Sequence, residues 1–225
     1  MFPDRILTDR LRLDRHDAAV DALAFYEHVG ERRSDTIAAE CEWLNWSPHA
    51  HPAESAGVLE SFREGWEERD SATYAVVPRE GEDGAGTYAG NTGLSFDWDR
   101  HTATLGIWLR EPFWGRGYSG ERAQALAALA FDRLDLELLA VEAFPENERS
   151  IRAIEKYVDT MGGREEGLIR NHLADQDGAV HDVRRFSIHR DEYAEAVGDD
   201  DAVTFVDDVD FGNSDGSGGS DDADD

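Results

Sequence analysis

The chain from Ala103 to Ala143 reads ATLGIWLREPFWGRGYSGERAQALAALAFDRLDLELLAVEA, and the rest of the sequence can be read outward from it. Its first apolar run, residues 105–109, predicts a strand, and the glycine-rich residues 113–120 predict a loop. An alanine- and leucine-rich stretch, residues 121–132, has the period of a helix, and residues 138–143 predict a second strand. The predicted unit is therefore strand, glycine loop, helix, strand.

The glycine loop enters the N-terminus of the predicted helix, and this arrangement favours anions. N–H groups of the first turn have no intrahelical acceptor, and the helix dipole places positive charge there. Glycine lets the backbone close on a ligand, so we expect phosphate oxygens to bind here. The absence of GK[ST] excludes a P-loop. Gly115-x-Gly117-x-x-Gly120 has the bare spacing of a dinucleotide fingerprint, but Arg110–Trp114 separate the strand from the first glycine, and Pro112 interrupts any ladder.

The loop resembles motif A of the GCN5-related N-acetyltransferases, the GNAT family, whose pattern is Q/R-x-x-G-x-G/A. Residues 114–119 match it, with Trp in place of Gln/Arg and Ser in place of the last Gly/Ala. The F-W-G-R-G-Y-S form is most similar to the RimJ/RimL branch, the ribosomal-protein-alanine acetyltransferases. L-T-x-R-L-x-L at 7–13 and P-x-N-x-x-S-I-R at 145–152 resemble the same branch. The branch usually continues K-L-G-F, whereas residues 156–163 are longer and lack Phe.

The resemblance implies a mixed α/β (α+β) fold with a mostly antiparallel twisted sheet, splayed between the family's fourth and fifth strands and flanked by helices. It covers about residues 5 to 194. The patterns outside the quoted stretch predict a first strand at 6–13, which alternates from Arg10 on, and helices from Asp17 and over 53–69. They also predict a hairpin of 72–77 with 88–96, a helix closed by Gly162-Gly163, and a final hairpin of 166–170 with 183–189.

The C-terminal residues 198–225 differ in composition from the rest of the chain. They contain eleven Asp, no Glu and no basic residue around a G-S-G-G-S centre, which is typical of a disordered acidic tail. We therefore predict an acetyltransferase domain over residues 1–197 and a tail over 198–225. The alternative for residues 204–206 and Phe211 is a short docking motif.

Acetyl-CoA is the co-substrate that the resemblance implies. Its pyrophosphate is expected on the loop amides, with charge from Arg116, and its pantetheine is expected to pair with the freed amides of the family's fourth strand, one of which also faces the thioester oxygen. The cofactor-binding residues implied in this way are Ile107, Trp108, Leu109, Gly115, Arg116, Gly117, Tyr118, Ser119, Gly120 and Asn147.

Proton transfer to the departing thiolate is assigned to Ser150, which has the N-x-x-S spacing of the branch. Many relatives use a Tyr seven residues after the motif B Asn, but that position is Ile154 here. Tyr157 lies ten residues after Asn147, and on a regular helix it is expected to face elsewhere. The alternative role of Ser150 is helix capping.

Glu142, His172 and His49 are the candidate general bases, with ordinary surface or packing roles as the alternative. Glu142 lies in a strand near the reactive end and can act through water. His49-Ala50-His51 lacks a third ligand at metal spacing, so we predict no metal site. Trp43, Trp46 and Trp66 can line an acceptor pocket or pack in the core.

The charge is strongly acidic, with 50 Asp and Glu against 22 Lys and Arg and a net charge of −28. Lys156 is the only lysine. Dense carboxylates with almost no lysine favour a halophilic protein, because salt screens their repulsion; an ordinary acidic protein is the alternative. Nucleic acid is a poor partner, since phosphates need a basic face. No apolar run is long enough to span a membrane, no secretory signal is visible, and Cys41 alone cannot form an internal disulfide, so a cytoplasmic monomer or homodimer is expected.

The leading hypothesis is an acetyl-CoA-dependent N-acetyltransferase acting on a primary amine, with a protein N-terminus as the acceptor that the branch suggests. Two alternatives stay open. The chain can be a non-catalytic acyl-CoA-binding sensor or partner module, or an acetyltransferase of a small-molecule amine.

Overall fold

The computed structural model describes residues 1–174, 178–198 and 202–212. Within these residues nine strands form one sheet in the order β7-β8-β6-β5-β4-β3-β2-β1-β9. Neighbouring strands are antiparallel except β5 and β6, which are parallel. The strands are β1 Arg5–Leu7, β2 Leu11–Arg15, β3 Ser71–Pro78, β4 Gly90–Asp97, β5 Thr102–Leu109, β6 Leu138–Ala143, β7 Arg164–Ala174, β8 Val180–His189 and β9 Thr204–Val206.

Seven α-helices are present in the same residues, and their starts follow ordinary capping chemistry. The Asp21 side chain accepts hydrogen bonds from two N–H groups of α2, and Pro52 occupies the first turn of α4. The helices are α1 His16–Ala19, α2 Ala22–Val29, α3 Ile37–Glu40, α4 Pro52–Glu68, α5 Tyr118–Ala128, α6 Glu148–Thr160 and α7 Arg190–Ala196. No helix of the described residues is long and apolar enough to cross a membrane.

The helices cover both faces of the sheet, as the alternation of β5 shows. Leu105 belongs to the larger core, which includes residues of α5 and α6, whereas Trp108 packs with residues of α2 and α3 in a second core. Side chains an odd number of positions apart point to opposite faces of a strand. Helices α5 and α6 therefore lie behind the sheet, on the side opposite α2 and α3.

The sheet splays between β5 and β6, as predicted. The two strands pair only from Thr102 with Leu138 to Leu105 with Val141. Beyond Leu105, β5 stays paired with β4 on one side, while β6 continues with β8. The mixed α/β fold with a mostly antiparallel, helix-flanked sheet is confirmed. The predicted first strand is a hairpin of β1 and β2, so the family's fourth and fifth strands are β5 and β6 here.

The structure corrects the prediction that everything after residue 197 is a disordered tail. Thr204–Val206 form β9 on the edge strand β1, and Phe205 packs against the larger core. The Arg133 guanidinium lies 5.6 Å from the Phe205 ring centroid and 2.6 Å from an Asp207 carboxylate oxygen. The run Thr-Phe-Val has high strand propensity, and β1 offers an unpaired edge. Residues 199–201 and 213–225 of the predicted tail lie outside the described residues.

Candidate active site

The glycine loop forms as the sequence predicts, but fewer of its amides are free. Gly115 and Gly117 have φ of +75° and +82°, and Gly117 is the N-cap of α5 without a side-chain cap. This left-handed backbone favours glycine. The N–H groups of Tyr118 and Ser119 have no intrahelical acceptor. The N–H groups of Gly120 and Glu121 donate to the Gly117 carbonyl at 3.1 and 3.3 Å. The first amides of α5 are therefore the donors offered to an anion.

Contacts with the β1–β2 connection, which contains Arg10, and the β3–β4 connection, which contains Glu82, hold this loop in place. A Glu121 carboxylate oxygen accepts the backbone N–H of Arg10 at 2.8 Å, and the Arg10 guanidinium donates to the Arg116 carbonyl at 2.9 Å. The Tyr118 hydroxyl donates to Glu82 at 2.7 Å. Burial raises the pKa of Tyr118, so its hydroxyl keeps this proton. Tyr118 thus presents its backbone N–H, not its side chain, to a ligand.

The cleft has further cations in addition to Arg116, the one predicted. Arg116 donates to the backbone carbonyl of Asp83 at 2.7 Å and pairs with its carboxylate at 3.0 Å. Two residues that sequence reasoning missed, Arg149 and Lys156, also line the cleft from α6. The Arg149 guanidinium stacks 3.4 Å from the Trp114 ring centroid. Neither cation forms an ion pair within the part of the chain described. The solitary lysine of a lysine-poor chain was the signal available in the sequence.

Two cavities meet where the sheet splays. The first, of about 820 Å³, lies between the glycine loop and α6, and the second, of about 600 Å³, reaches toward α2 and α4 on the other face. Six residues from β5, α5 and the α6 region that line both cavities are Ile107, Trp108, Ser119, Asn147, Ser150 and Tyr157.

The unpaired end of β5 presents backbone groups to this gap. The N–H of Arg110 donates to the carbonyl of Ala89, the residue before β4. Backbone N–H and C=O groups of successive residues point to opposite sides of a strand, so those of Ile107 and Leu109 face away from β4. The Leu109 carbonyl already accepts the Trp114 indole N–H at 2.7 Å. The amides of Ile107 and Leu109 are left facing the gap. Trp108 instead contributes a buried indole to the second cavity.

The N-terminus of α6 places Ser150 at the junction of the cavities. Asn147 is the N-cap, and its side-chain oxygen accepts the Ser150 N–H at 3.1 Å. Asn147 itself therefore caps the helix, while Ser150 lines both cavities. The role assigned to Ser150 stays a prediction.

The prediction that Tyr157 faces away from the cofactor groove, which rested on its spacing of ten residues from Asn147, is wrong. It is buried, and it lines the same two cavities as Ser150. The count began at Asn147, which lies outside the helix as its cap. Measured from Ser150, Tyr157 is seven residues on, a rotation of about 700°, so the two residues lie within about 20° of the same helix face.

The candidate bases lie on different walls. The Glu142 carboxylate is 3.1 Å from the His172 imidazole and 3.2 Å from the Arg185 guanidinium, so Glu142 and His172 are brought together across β6, β7 and β8. Glu142 lines the second cavity. His49 is buried on the opposite side, with Nδ1 2.8 Å from the Ser55 hydroxyl, and burial lowers its pKa, so the ring is neutral.

The predicted tryptophan cluster is divided. Trp43 and Trp46 line the second cavity, whereas Trp66 packs on Phe2 and Tyr74 in the core, at ring centroid distances of 5.2 and 5.4 Å. Trp66 is separated from the others because it lies late in α4, beside β3. Trp43 and Trp46 therefore stay candidates for an acceptor pocket, and Trp66 belongs to the core.

A buried carboxylate, Glu40, was also missed by sequence reasoning. One of its oxygens accepts the Thr36 hydroxyl at 2.7 Å and the Glu111 N–H at 2.8 Å, and the other has no partner within the described chain. Glu40 lines the first cavity with Trp43 and Trp108. The indole N–H of Trp108 is buried and likewise unpartnered among those residues. Over the described ranges, no three His, Cys, Asp or Glu side chains are grouped to hold a metal.

The sheet opens at its parallel strand pair, beside a glycine loop that enters a helix, and this is the fold that the resemblance to the GNAT family implied. Residues 10–157 match the family model described as an acetyltransferase (GNAT) domain. The chain therefore belongs to the GNAT acetyltransferase family, and it is an N-acetyltransferase that uses acetyl-CoA. No curated protein matches it.

Three solved structures illustrate the similarity. A Vibrio cholerae protein provisionally assigned as a ribosomal-protein-serine acetyltransferase is 25% identical, with a TM-score of 0.66 over 84% of this chain and 99% of that one. The microcin C7 self-immunity acetyltransferase MccE, solved with acetyl-CoA and AMP, is 16% identical, with a TM-score of 0.67 over 81% and 93%. RimL, the ribosomal L7/L12 α-N-protein acetyltransferase, is 17% identical, with a TM-score of 0.65 over 84% and 96%.

Proposed function

We propose that this enzyme acetylates the α-amino group of a protein or peptide N-terminus, in the manner of the RimJ/RimL branch. The observation that carries the proposal is the second cavity, which leads from the splayed β5 to the face of α2 and α4 and is walled by apolar and aromatic side chains. Its volume of about 600 Å³ is in the range of ligand pockets. The likeness to the Vibrio cholerae protein, described as acting on a ribosomal protein, supports a protein acceptor.

Acetyl-CoA is proposed to lie in the first cavity. Its pyrophosphate oxygens accept hydrogen bonds from the N–H groups at the start of α5, and Arg149 and Lys156 supply positive charge from α6. Pantetheine amides pair with the exposed backbone of Ile107 and Leu109, as an added strand would. The predicted loop residues keep this role, with Arg116 divided between the ligand and Asp83.

The acceptor is proposed to meet a buried carboxylate. Glu40 lies in the first cavity and has an oxygen without a partner in the described structure. Trp43 and Trp108 line both cavities, so an amine that enters through the second cavity is proposed to reach Glu40 where the two cavities meet. A carboxylate and indole faces both stabilise an ammonium ion before it loses its proton. The amine then attacks the thioester carbon, with Ser150 proposed as proton donor at the sulfur and Glu142 or His172 as the route for the amine proton.

Acetylation of peptides tests this proposal. The enzyme in molar salt is given acetyl-CoA with a peptide that has a free N-terminus, the same peptide with a blocked N-terminus, or small amines, and thiol release and product mass are followed. We expect acetylation only of the free N-terminus. Turnover confined to small amines would refute the proposed acceptor.

Two substitutions refine the same experiment. Glu40→Gln should raise the KM for the peptide with little change in the KM for acetyl-CoA. Ser150→Ala should lower kcat by about 10- to 1000-fold, the range of a lost proton donor. An unchanged peptide KM in Glu40→Gln would remove the ammonium site.

We further infer that the enzyme operates at high salt, because of its charge of −28 and its single lysine. The cytoplasmic location predicted from the sequence stays a prediction.

A further inference from the structure

The inner face of α5 carries an arginine that is buried without an acidic partner. Arg122 is 1% exposed, and no carboxylate of the described residues forms an ion pair with it. Its Nη1 lies 3.4 Å from the Thr92 hydroxyl and 3.5 Å from the Gly106 carbonyl, at the outer limit of hydrogen bonding. Its Nε has no partner there. A buried cation in this state is costly unless an anion joins it.

Tyr157 faces this arginine from α6. The Arg122 guanidinium lies 5.6 Å from the Tyr157 ring centroid, and the Tyr157 hydroxyl is buried with no hydrogen-bond partner in the described chain. Burial lowers the pKa of Arg122 and raises that of Tyr157, whose hydroxyl therefore keeps its proton. The two side chains are close enough to interact with each other, but the Nε–H of Arg122 and the O–H of Tyr157 have no acceptor in the described residues.

The location of the pair matches the point at which the thioester must break. Gly106 is the first residue of β5 beyond its last pair with β6. The Arg122 guanidinium lies at this level of the sheet, beside Gly106 and Thr92 of the neighbouring strand β4. Arg122 lines the second cavity, and Tyr157 lines both. The pair lies on the α5 and α6 side, whereas the aromatic acceptor wall with Trp46 lies across the gap.

We propose that Arg122 and Tyr157 form an anion site for the sulfur of departing coenzyme A, an inference that rests on the proposed acetyl transfer. The amine nitrogen forms a C–N bond with the thioester carbon, the C–S bond breaks, and its electron pair stays on sulfur. The guanidinium and the phenol hydroxyl donate hydrogen bonds to this thiolate, and the amine proton leaves by way of Glu142 or His172, as proposed above. Ser150 lies on the same face of α6 as Tyr157 and acts at the same sulfur.

The test compares two ligands that differ only at sulfur. The dissociation constants of coenzyme A and desulfo-coenzyme A are measured by calorimetry for the full-length protein at a pH of about 10, well above the cysteine thiol pKa of about 8.5, because the alkyl thiol of coenzyme A is less acidic than that of cysteine. We expect the wild type to bind coenzyme A at least about tenfold more tightly than desulfo-coenzyme A, because a charge-assisted hydrogen bond to sulfur is made only with coenzyme A. In Arg122→Met the two constants should converge, while Arg122→Lys should keep part of the difference.

Arg152→Met is the matched control, because it removes an exposed arginine from α6 that pairs only with Glu148 within the described structure. The ratio of the dissociation constants of desulfo-coenzyme A and coenzyme A should be the same for Arg152→Met as for the wild type. Ligand-free Arg122→Met should be as stable as the wild type or more so, since an unpaired buried charge is removed. If this variant fails to fold, Tyr157→Phe and Arg122→Lys supply the comparison.

Equal binding of both ligands to the wild type, or an unchanged ratio in Arg122→Met, would overturn the anion site. No acceptor is present in these measurements. A failure of peptide acetylation would therefore refute the proposed acceptor without touching this result, and the reverse also holds.

Discussion

Gly117 is the single residue on which the glycine loop depends most directly. Its φ is +82°, and a Cβ there would lie 3.3 Å from the Arg10 guanidinium. Gly117→Asp adds a carboxylate where phosphate oxygens are expected, so acetyl-CoA affinity should fall by about 100-fold or more. Isothermal calorimetry measures this change. Gly120→Asp is a less direct test, because a Cβ at Gly120 points toward Tyr157, at 3.8 Å.

Gly178→Asp is the control for this substitution. Gly178 has a φ of +80° and lies two residues before β8, and a Cβ there would meet no described atom within 4 Å. The control therefore carries the same backbone strain and the same added charge away from the loop. Equal acetyl-CoA affinity in Gly117→Asp and Gly178→Asp would remove the loop from the site.

Among the elements, β9 changes what is expected of the C-terminal residues. The composition alone predicted that a chain ending near Val197 would fold and turn over normally. The structure shows Phe205 packed on the core, and Asp4 accepting the Val209 N–H at 3.2 Å. Ala202 and Val203 also line the first cavity. The C-terminal segment is therefore part of both the sheet and the proposed cofactor cleft.

A chain ending at Val197 should lose stability. Removing a packed Phe and the strand that carries it should lower the free energy of unfolding by about 2 kcal/mol or more, and acetyl-CoA affinity should fall as well. A chain ending at Gly212 keeps every described contact of β9 and should match the full-length protein. Thermal melts in molar salt check both. Coincident melts of the two shortened chains would show that β9 contributes nothing.

For the whole molecule, charge is the property with the largest expected consequence. Removing the eleven Asp of residues 198–225 from the net charge of −28 still leaves −17 on the first 197 residues. Repulsion among these charges is screened over about 3 Å in molar salt but over about 10 Å at 0.1 M. We expect circular dichroism to report unfolding on dilution from molar to about 0.1 M salt. A cooperative melt that is the same at both concentrations would refute the halophilic interpretation.

Local patterns were enough to predict most elements and the family. Strand β6 and helix α5 follow from residue periodicity and from turn residues, and the loop follows from two glycines with positive φ. Such features depend on neighbours within a few positions, so they are visible in a linear chain. The splay followed from the family resemblance and is confirmed by the loss of β5–β6 pairing after Leu105.

Other features depend on contacts between distant residues, which periodicity does not contain. From the sequence alone, Arg122 is one more polar residue of an amphipathic helix. Only the folded chain buries its guanidinium beside Gly106 and Tyr157. His172 joins Glu142 only because β7 and β6 both flank β8. The acidic tail hides a strand because Phe205 gains its stability from a core built elsewhere in the chain. Burial and charge pairing of this kind arise only when the chain has folded, because they are set by which surfaces meet and not by which residues follow one another.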